Sequence, residues 1–554
     1  MTVDTDQRAG IAGFYMDPGR TAREARAGFW LNRIITDYLD DAVRSRPDAE
    51  YLVTYRTGTA EPDSLTRSEL SSRVSRIAAN LRELGIKRGD VVSFQIPNWW
   101  QFIALHLACV HVGAISNPLM PIFREREVEF MVRHAESRVF ITPAVFRNFD
   151  HEDLARQIGK RIPSLEHILI IDGDGDDAFE TVLLRPETWH PPMQSAAMGP
   201  DDIVKIMYTS GTTGEPKGVM HTSNTMLSSM PAVTERLGLT EADVLFMPSP
   251  FAHSIGFLYG MMMSLFLGAR LVTLDVWNPA LAADIMEREG VTFMFGATPF
   301  LADMANLADN RGRGFEHFRL FLTAGAPVPP SLVERAMTVL EAAVVTGYGM
   351  TELGLVTTGM PSAPEIVREN AAPALPHAEL RVVDKQDRTV GPGIEGELQC
   401  RGSSLFVGYH GLEKIDDIHE HGWFATGDLV RLEEDGYVRI VGRSKDIIIR
   451  GGENIPVVEI ENLIHEMPQV NEVAVVGMPD ERLGERACAF VSLHGEQGLS
   501  FEQLIAFLEG RKLARNYFPE KLVIADNIPK TPVGKIQKFK LRESLVQMTK
   551  EIGQ

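Results

Sequence analysis

Basic residues are scarce in this 554-residue sequence: 55 Lys and Arg stand against 75 Asp and Glu, a formal charge of −20. With no basic excess to neutralise phosphates, a general nucleic-acid-binding role is excluded, as is adhesion to anionic lipid. Cysteine is scarcer still. Cys109, Cys400 and Cys488 are odd in number and far apart, so they supply neither a disulfide framework nor a zinc pattern. They read as buried thiols of a reducing compartment. The longest apolar run, IGFLYGMMMSLFLGA from Ile255 to Ala269, falls short of the ~20 residues that span a bilayer and reads as a core helix. The opening MTVDTDQRAG lacks the basic-then-apolar layout of a secretory leader. Internal repeats and long low-complexity linkers are also missing. The expectation is a cytoplasmic protein with no membrane span.

What is present is globular. Hydrophobic residues make up 44% and charged residues 23%, and the chain is too long for one core, so two or more domains are expected. Trp30, Ile34, Ile35, Tyr38, Leu39 and Val43 recur at helical spacing up to Pro47. Thr66 and Glu69 have capping-box spacing ahead of a second amphipathic helix that Gly85 would cap. Val91 to Ile96 reads as a buried strand, and this alternation continues past residue 300, which predicts an α/β architecture. The acidic DGDGDD of Asp172 to Asp177 fails the EF-hand pattern at its sixth and twelfth positions and reads as a solvated turn. LVRLEEDGYVRIVGR predicts a hairpin turned at Asp435–Gly436. Beyond Gly442 the elements become short, which predicts a small α+β domain. The boundary is drawn near Lys445, dividing the chain into 1–444 and 445–554.

Chemistry concentrates in a few loops. YTSGTTGEPKGV, Tyr208 to Val219, follows a short apolar strand and interleaves Thr209, Ser210, Thr212 and Thr213 with Gly211 and Gly214 before Lys217. Glycines let backbone N–H groups close on an anion, hydroxyls donate more hydrogen bonds, and the lysine adds a point charge, so the loop suits a polyphosphate. It is not a Walker loop, because Pro216 precedes the lysine and Gly218 follows it. Further stretches pair small residues with a charge: TAGAPV (Thr323 to Val328), TGYGMTE (Thr346 to Glu352) in one loop, TGDL with Asp428 on a tight turn, GRSKDIIIRGGE with Arg443 and Lys445, and PKTPVGK ending at Lys535. Singly, each has a structural explanation: a capped turn, a surface charge, or for His253 a hydrogen-bonded core histidine. Together, in this order, they point to one site.

In these motifs the chain resembles the acyl- and aryl-adenylating enzymes: acyl-CoA synthetases, aryl acid adenylating enzymes, luciferases and carrier-protein adenylation domains. The likeness runs from about Trp30 to the last helix, and the layout looks like that of medium-chain and cyclohexanecarboxylate CoA ligases. It implies a large N-terminal domain, layered α/β with a small β-barrel-like subdomain, and a small mobile C-terminal lid. It implies ATP, Mg²⁺ and coenzyme A, a small-molecule carboxylic acid substrate, and a monomer or homodimer.

By resemblance, Thr209 to Lys217 wraps the β- and γ-phosphates, Thr351 bonds the α-phosphate, and Glu352 holds Mg²⁺. Asp428 and Arg443 bind the ribose. Gly325, Ala326 and Pro327 lie along the adenine with Tyr348 on its other face, within the run Thr346, Gly347, Tyr348, Gly349 and Met350. Lys535 bridges the carboxylate and the α-phosphate. Lys445 is the hinge, and Gly451, Gly452 and Glu453 line the pantetheine tunnel. His253 and the GATP segment, Gly296 to Pro299, border the acyl pocket. Ser254 stands where dihydroxybenzoate-activating enzymes place an Asn, which weighs against a catechol acid. Small residues (Ala297, Gly325, Gly349, Gly354) are expected to leave room for a cyclic or medium-chain acid. Two other readings are a ligase that loads a separate carrier protein and a non-catalytic nucleotide binder. Intact Lys535, Glu352 and Asp428 speak against the second. PKTPVGK also resembles the segment in which related synthetases are acetylated, making Lys535 a candidate for a lysine acetyltransferase.

Overall fold

The computed structural model describes residues 18–185, 198–209, 216–325, 328–362, 371–412, 415, 417–443, 446, 448–450, 453–480, 483–495, 498–513, 515–531 and 534–552. Among them, two largely parallel sheets form the bulk of the chain. One has eight strands in the order Gly354–Thr358, Ala343–Met350, Leu320–Thr323, Phe293–Gly296, Val244–Met247, Arg270–Leu274, Glu50–Tyr55 and Asp63–Thr66. Its interior pairs are parallel and both outermost pairs are antiparallel. The other has six: Lys217–Thr222, Ile203–Thr209, Ile115–Pro118, Val91–Phe94, Val139–Pro143 and His167–Ile171. Strands such as Val91–Phe94 and Leu320–Thr323 are buried on every residue, as parallel strands covered on both faces must be.

Local chemistry sets several element ends. The Thr66 hydroxyl accepts from the Glu69 N–H, and the Glu69 carboxylate accepts from the Thr66 N–H at 2.8 Å, so the capping box starts the helix Arg67–Glu83. Gly85 follows its end at φ 82°. The helix expected from Trp30 begins instead at Ile35 and runs to Ser45, because Asp37 caps the Ile34 N–H at 3.1 Å. Trp30 is buried outside it, with Nε1 donating to the Ser403 carbonyl at 3.0 Å. The acidic turn is solvated as expected, with Asp172, Asp174 and Asp176 exposed, and it is also anchored: Asp172 pairs with Arg56, and Asp177 with Arg156. The apolar run from Ile255 is a core helix of unusual kind, a π-helix over Ile255–Met262 continued by an α-helical turn, Met263–Leu267.

A third, five-stranded antiparallel sheet is ordered Ala371–Pro373, Tyr437–Arg443, Phe424–Leu432, Glu395–Gly402 and Ala378–Val383. Its hairpin turns at Gly436 as the sequence predicts. The last sheet carries Glu453–Ile455, Ile448–Arg450, Gly484–Leu493, Val470–Asp480 and Lys521–Ile524. The helices Val457–His465 and Phe501–Gly510 bury Ile460, Ile464, Leu504 and Leu508 in a cluster separate from the main core. The last helix, Lys538–Ile552, buries Leu541 and Leu545 against the strand bearing Ala474 and Val476.

Candidate active site

Thr209 ends one strand and Lys217 begins the next, and the two are register partners across an antiparallel pair. The ends of the phosphate-type loop are thus clamped together. Ser210, Gly211, Thr212, Thr213 and Gly214 lie outside the described residues, as do Ala326, Pro327, Lys445, Gly451 and Gly452. Tyr208 holds the entry strand through its hydroxyl, 2.8 Å from His134 Nδ1. Lys217 Nζ lies 3.5 Å from Asp417 and 4.7 Å from the centroid of the Tyr409 ring.

TGYGMTE is not a loop. Thr346 to Met350 belong to the strand Ala343–Met350, which turns back through Thr351 and Glu352 into Gly354–Thr358. Gly347 and Gly349 pair with Thr358 and Leu355 across the antiparallel ladder, so strand pairing wins over the turn signal. The Glu352 carboxylate is 6% exposed and accepts from the Tyr409 hydroxyl at 2.9 Å. Burial raises its pKa, and nearby Lys217 and Arg443 oppose that rise. Thr351 is held from two sides: its carbonyl accepts from His221 Nε2 at 2.7 Å, and its hydroxyl lies 3.1 Å from Ser254 Oγ.

Asp428 likewise lies within a strand, Phe424–Leu432, directly opposite Arg443. Gly427 has φ 72°, and this local kink replaces the predicted tight turn. Asp428 Oδ1 accepts from Arg443 Nε at 2.8 Å, and Oδ2 from the Tyr348 hydroxyl at 2.5 Å. Tyr348 is therefore fixed by its hydroxyl as well as by its strand. The Thr346 hydroxyl and that of its register partner Thr323 are buried and have no hydrogen-bond partner among the described residues. Two polar atoms at the mouth of two parallel strands are left for a ligand.

Lys535 approaches this cluster from the connection between the strand Lys521–Ile524 and the helix Lys538–Ile552. Its N–H is held by the Thr531 hydroxyl at 3.1 Å. Burial and then Arg443 depress its pKa to about 8, against the pull of Asp428, Asp446 and Glu352. The adjoining Gly534 lies on the GATP segment: a Cβ there would sit 2.8 Å from Pro299 Cγ. His253 is close enough for Lys535 to act on it, and burial together with that charge lowers its pKa to about 4. The Ile255 N–H approaches His253 Nδ1 at 3.3 Å, so the neutral ring carries its proton on Nε2. Glu453 falls on the edge strand of the C-terminal sheet.

The family model for AMP-binding enzymes matches residues 39–410, and that for the AMP-binding enzyme C-terminal domain matches 459–535. The chain belongs to the AMP-binding enzyme family. It is 34% identical over 535 residues to the medium-chain fatty-acid–CoA ligase of Escherichia coli (strain K12), covering 95% of this chain and 93% of that one. Among solved structures, the anthranilate CoA ligase AuaEII in complex with anthranoyl-AMP superposes with a TM-score of 0.84 at 25% identity, over 93% of this chain and 98% of that one. ATP-bound MatB from Rhodopseudomonas palustris gives 0.81 at 27% identity, over 92% and 99%.

On the expected acyl side, this AMP-binding enzyme departs from the sequence reading. Gly349 and Gly354 do not make room. A Cβ on Gly349 would lie 2.1 Å from the Gly354 carbonyl oxygen, and one on Gly354 would lie 2.9 Å from the Tyr259 hydroxyl. Both are glycine so that backbone can approach backbone and ring. A Cβ on Gly325 would meet only Ile255 Cδ1 among the described residues, at 3.5 Å, an ordinary contact. Three contributors went unread in the sequence: Tyr409, Asp417 and His221. Their partners are 57, 200 and 130 residues away, beyond any local pattern.

Proposed function

We infer that this AMP-binding enzyme is an AMP-forming carboxylic acid–CoA ligase. The observation that carries the reading is the seating of Gly534 against Pro299, which brings the adjoining Lys535 within electrostatic reach of Asp428, Glu352 and His253. In the first half-reaction a carboxylate oxygen attacks the α-phosphorus of ATP, the bond to the β-phosphate breaks, and pyrophosphate leaves. In the second, the CoA sulfur attacks the acyl carbon and AMP departs with the carboxyl oxygen. The protein supplies no nucleophile. It aligns reactants and offsets charge at phosphorus.

Lys535, protonated at neutral pH, stabilises the carboxylate against the α-phosphate. Thr351 bonds that phosphate, its position fixed by His221 and Ser254. Lys217 and the loop behind it grip the departing pyrophosphate. A carboxylate has about four lone-pair sites, so Asp428 can accept from the ribose while keeping Tyr348 and Arg443. Glu352 fits Mg²⁺: it is a buried carboxylate with one hydrogen-bonded oxygen, and a single carboxylate plus phosphates is how this hard cation is commonly held. When bound, Mg²⁺ neutralises phosphate charge. His253, neutral, borders the carboxylate without competing for its charge.

The acid is apolar, of medium chain length or cyclic, because it lies along Ile255 and Gly325 and the neighbouring Tyr259 hydroxyl is occupied by the Leu355 N–H at 2.6 Å. The medium-chain and anthranilate specificities in the relatives' names bracket this range. The division 1–444 and 445–554, with Lys445 as hinge and Gly451, Gly452 and Glu453 along the pantetheine path, completes the reading. Pyrophosphate release across aliphatic, alicyclic and aromatic acids, with CoA thioester followed in parallel, tests it. Adenylate without CoA thioester would move the thiol acceptor to a carrier protein, and no adenylate with any acid would overturn it. Acetylation of Lys535 would remove the charge that adenylation needs. Mass spectrometry after treatment with an acetyltransferase and acetyl-CoA reads this, and an unmodified lysine across several such enzymes would refute it.

A further inference from the structure

One buried charge is bonded to a loop that frames the site, and it also acts electrostatically on His221. Arg20, on the helix Pro18–Arg26, is 5% exposed. Its guanidinium donates to four carbonyls of one loop: Phe406 at 3.1 Å, Gly402 and Ser403 at 3.3 Å each, and Leu405. Trp30, 5.5 Å from the guanidinium carbon, adds its own bond to Ser403. Four carbonyl dipoles converging in the interior repel one another unless a cation faces them. Nη1 serves Phe406, and the two N–H groups of Nη2 are shared among Gly402, Ser403 and Leu405, a spread across two nitrogens that a guanidinium allows and a single ammonium nitrogen does not.

The same loop is the frame of the site's metal and phosphate end. Its Phe406 N–H donates to the Glu352 carbonyl at 2.7 Å. Val407 and Met220, Gly408 and Met220, and His410 and Gly218 bond backbone to backbone at 3.0, 2.9 and 2.8 Å, fastening the loop to the strand that begins at Lys217. Between those bonds lies Tyr409, whose hydroxyl donates to Glu352 and whose ring faces Lys217. Moving the loop must move the Tyr409 hydroxyl, and with it the carboxylate.

We propose that Arg20 is a positioning residue for Glu352, acting through the 402–410 loop and Tyr409 to set the carboxylate for the nucleotide-bound cation. The proposal rests on the reading of Glu352 as the metal-binding carboxylate. Its test is equilibrium binding by the full-length protein of a non-hydrolysable ATP analogue, with and without Mn²⁺, with bound Mn²⁺ counted by electron paramagnetic resonance. Arg20→Ala should weaken Mn²⁺ binding about tenfold, the usual cost of losing an outer partner of a metal ligand, while metal-free nucleotide binding stays within about twofold. Free guanidinium at low millimolar concentration should restore part of the loss. Tyr409→Phe should reproduce the effect, and the double variant should be no worse than Tyr409→Phe alone, since both act along one path.

Equal loss with and without metal, or additive losses in the double variant, would make Arg20 a mere fold staple and overturn the proposal. Should Arg20→Ala fail to fold, Arg20→Lys keeps the charge but can satisfy at most three carbonyls. It should show a smaller, metal-specific loss, and an unchanged Mn²⁺ affinity would count against the idea. If the wild-type protein binds the analogue but its affinity is indifferent to Mn²⁺, the reading of Glu352 fails before Arg20 is judged.

Discussion

Replacing Lys535 with alanine separates the two half-reactions. The Lys535 ammonium is within electrostatic reach of Asp428, Glu352 and His253, so on the proposed reaction its removal strips positive charge from beside the phosphorus that is attacked. Loss of one such preorganised electrostatic group costs about 2.7–4 kcal/mol, or roughly 10²–10³ in rate. The pH profile supplies a second measure. Burial and Arg443 lower the Lys535 pKa from 10.5 to about 8, so it loses its proton within the working range. About nine tenths of the free enzyme carries the charge at pH 7 and about one tenth at pH 9 for such a group. The wild-type kcat/KM for adenylation should therefore fall about tenfold per pH unit above 8, since that ratio reports free-enzyme ionisations. The assay is pyrophosphate–ATP exchange from pH 6.5 to 9.5, beside thioester formation from supplied acyl-adenylate. Lys535→Ala should lose exchange and its alkaline limb while keeping the thioester step. Exchange near the wild-type rate, or a wild-type profile flat to pH 9.5, would refute the role.

Three further outcomes follow from the geometry. Gly534→Ala puts a Cβ 2.8 Å from Pro299 Cγ on a backbone at φ 83°, so it should slow adenylation about tenfold or more and leave thioester formation from supplied adenylate intact, as single-turnover measurement of each step will read. Tyr348→Phe removes the 2.5 Å bond to Asp428, and steady-state kinetics should show KM for ATP rising about tenfold, the usual worth of a bond to a charged group, with KM for CoA unmoved. Lys205→Met concerns stability. The Lys205 ammonium is fully buried, has no hydrogen-bond partner and lies 4.6 Å from the Phe257 ring centroid, and burial lowers its pKa to about 7. Below pH 7 both native and unfolded chains carry this proton and the native state bears the full penalty. Between pH 7 and 10.5 the unfolded chain binds more protons, so stability rises with pH. Thermal melts should show Lys205→Met more stable by about 1–4 kcal/mol at neutral pH and lacking that rise.

What could be read from the sequence was local or set by register. Thr66 and Glu69 cap their helix three residues apart, and the turn at Gly436 needs only its own φ. TGYGMTE and TGDL suggested loops and are strands, because glycines that signal a turn in isolation sit here in paired strands. The meaning of Gly349 and Gly354 depends on what lies across from them, which composition does not carry. Arg20 and its carbonyls are more than 380 residues apart, and no periodicity joins them.

The wide helix over Ile255–Met262 gives this stretch of chain a tolerance of length in one direction. A π-helix takes more residues per turn than an α-helix, and two points of this segment are held: Ser254, just before it, lies against Thr351, and Tyr259, within it, accepts from the Leu355 N–H. Loss of one residue between those points can be absorbed by tightening the turn to α geometry, so the flanks keep their partners while the side chains between them are re-aimed.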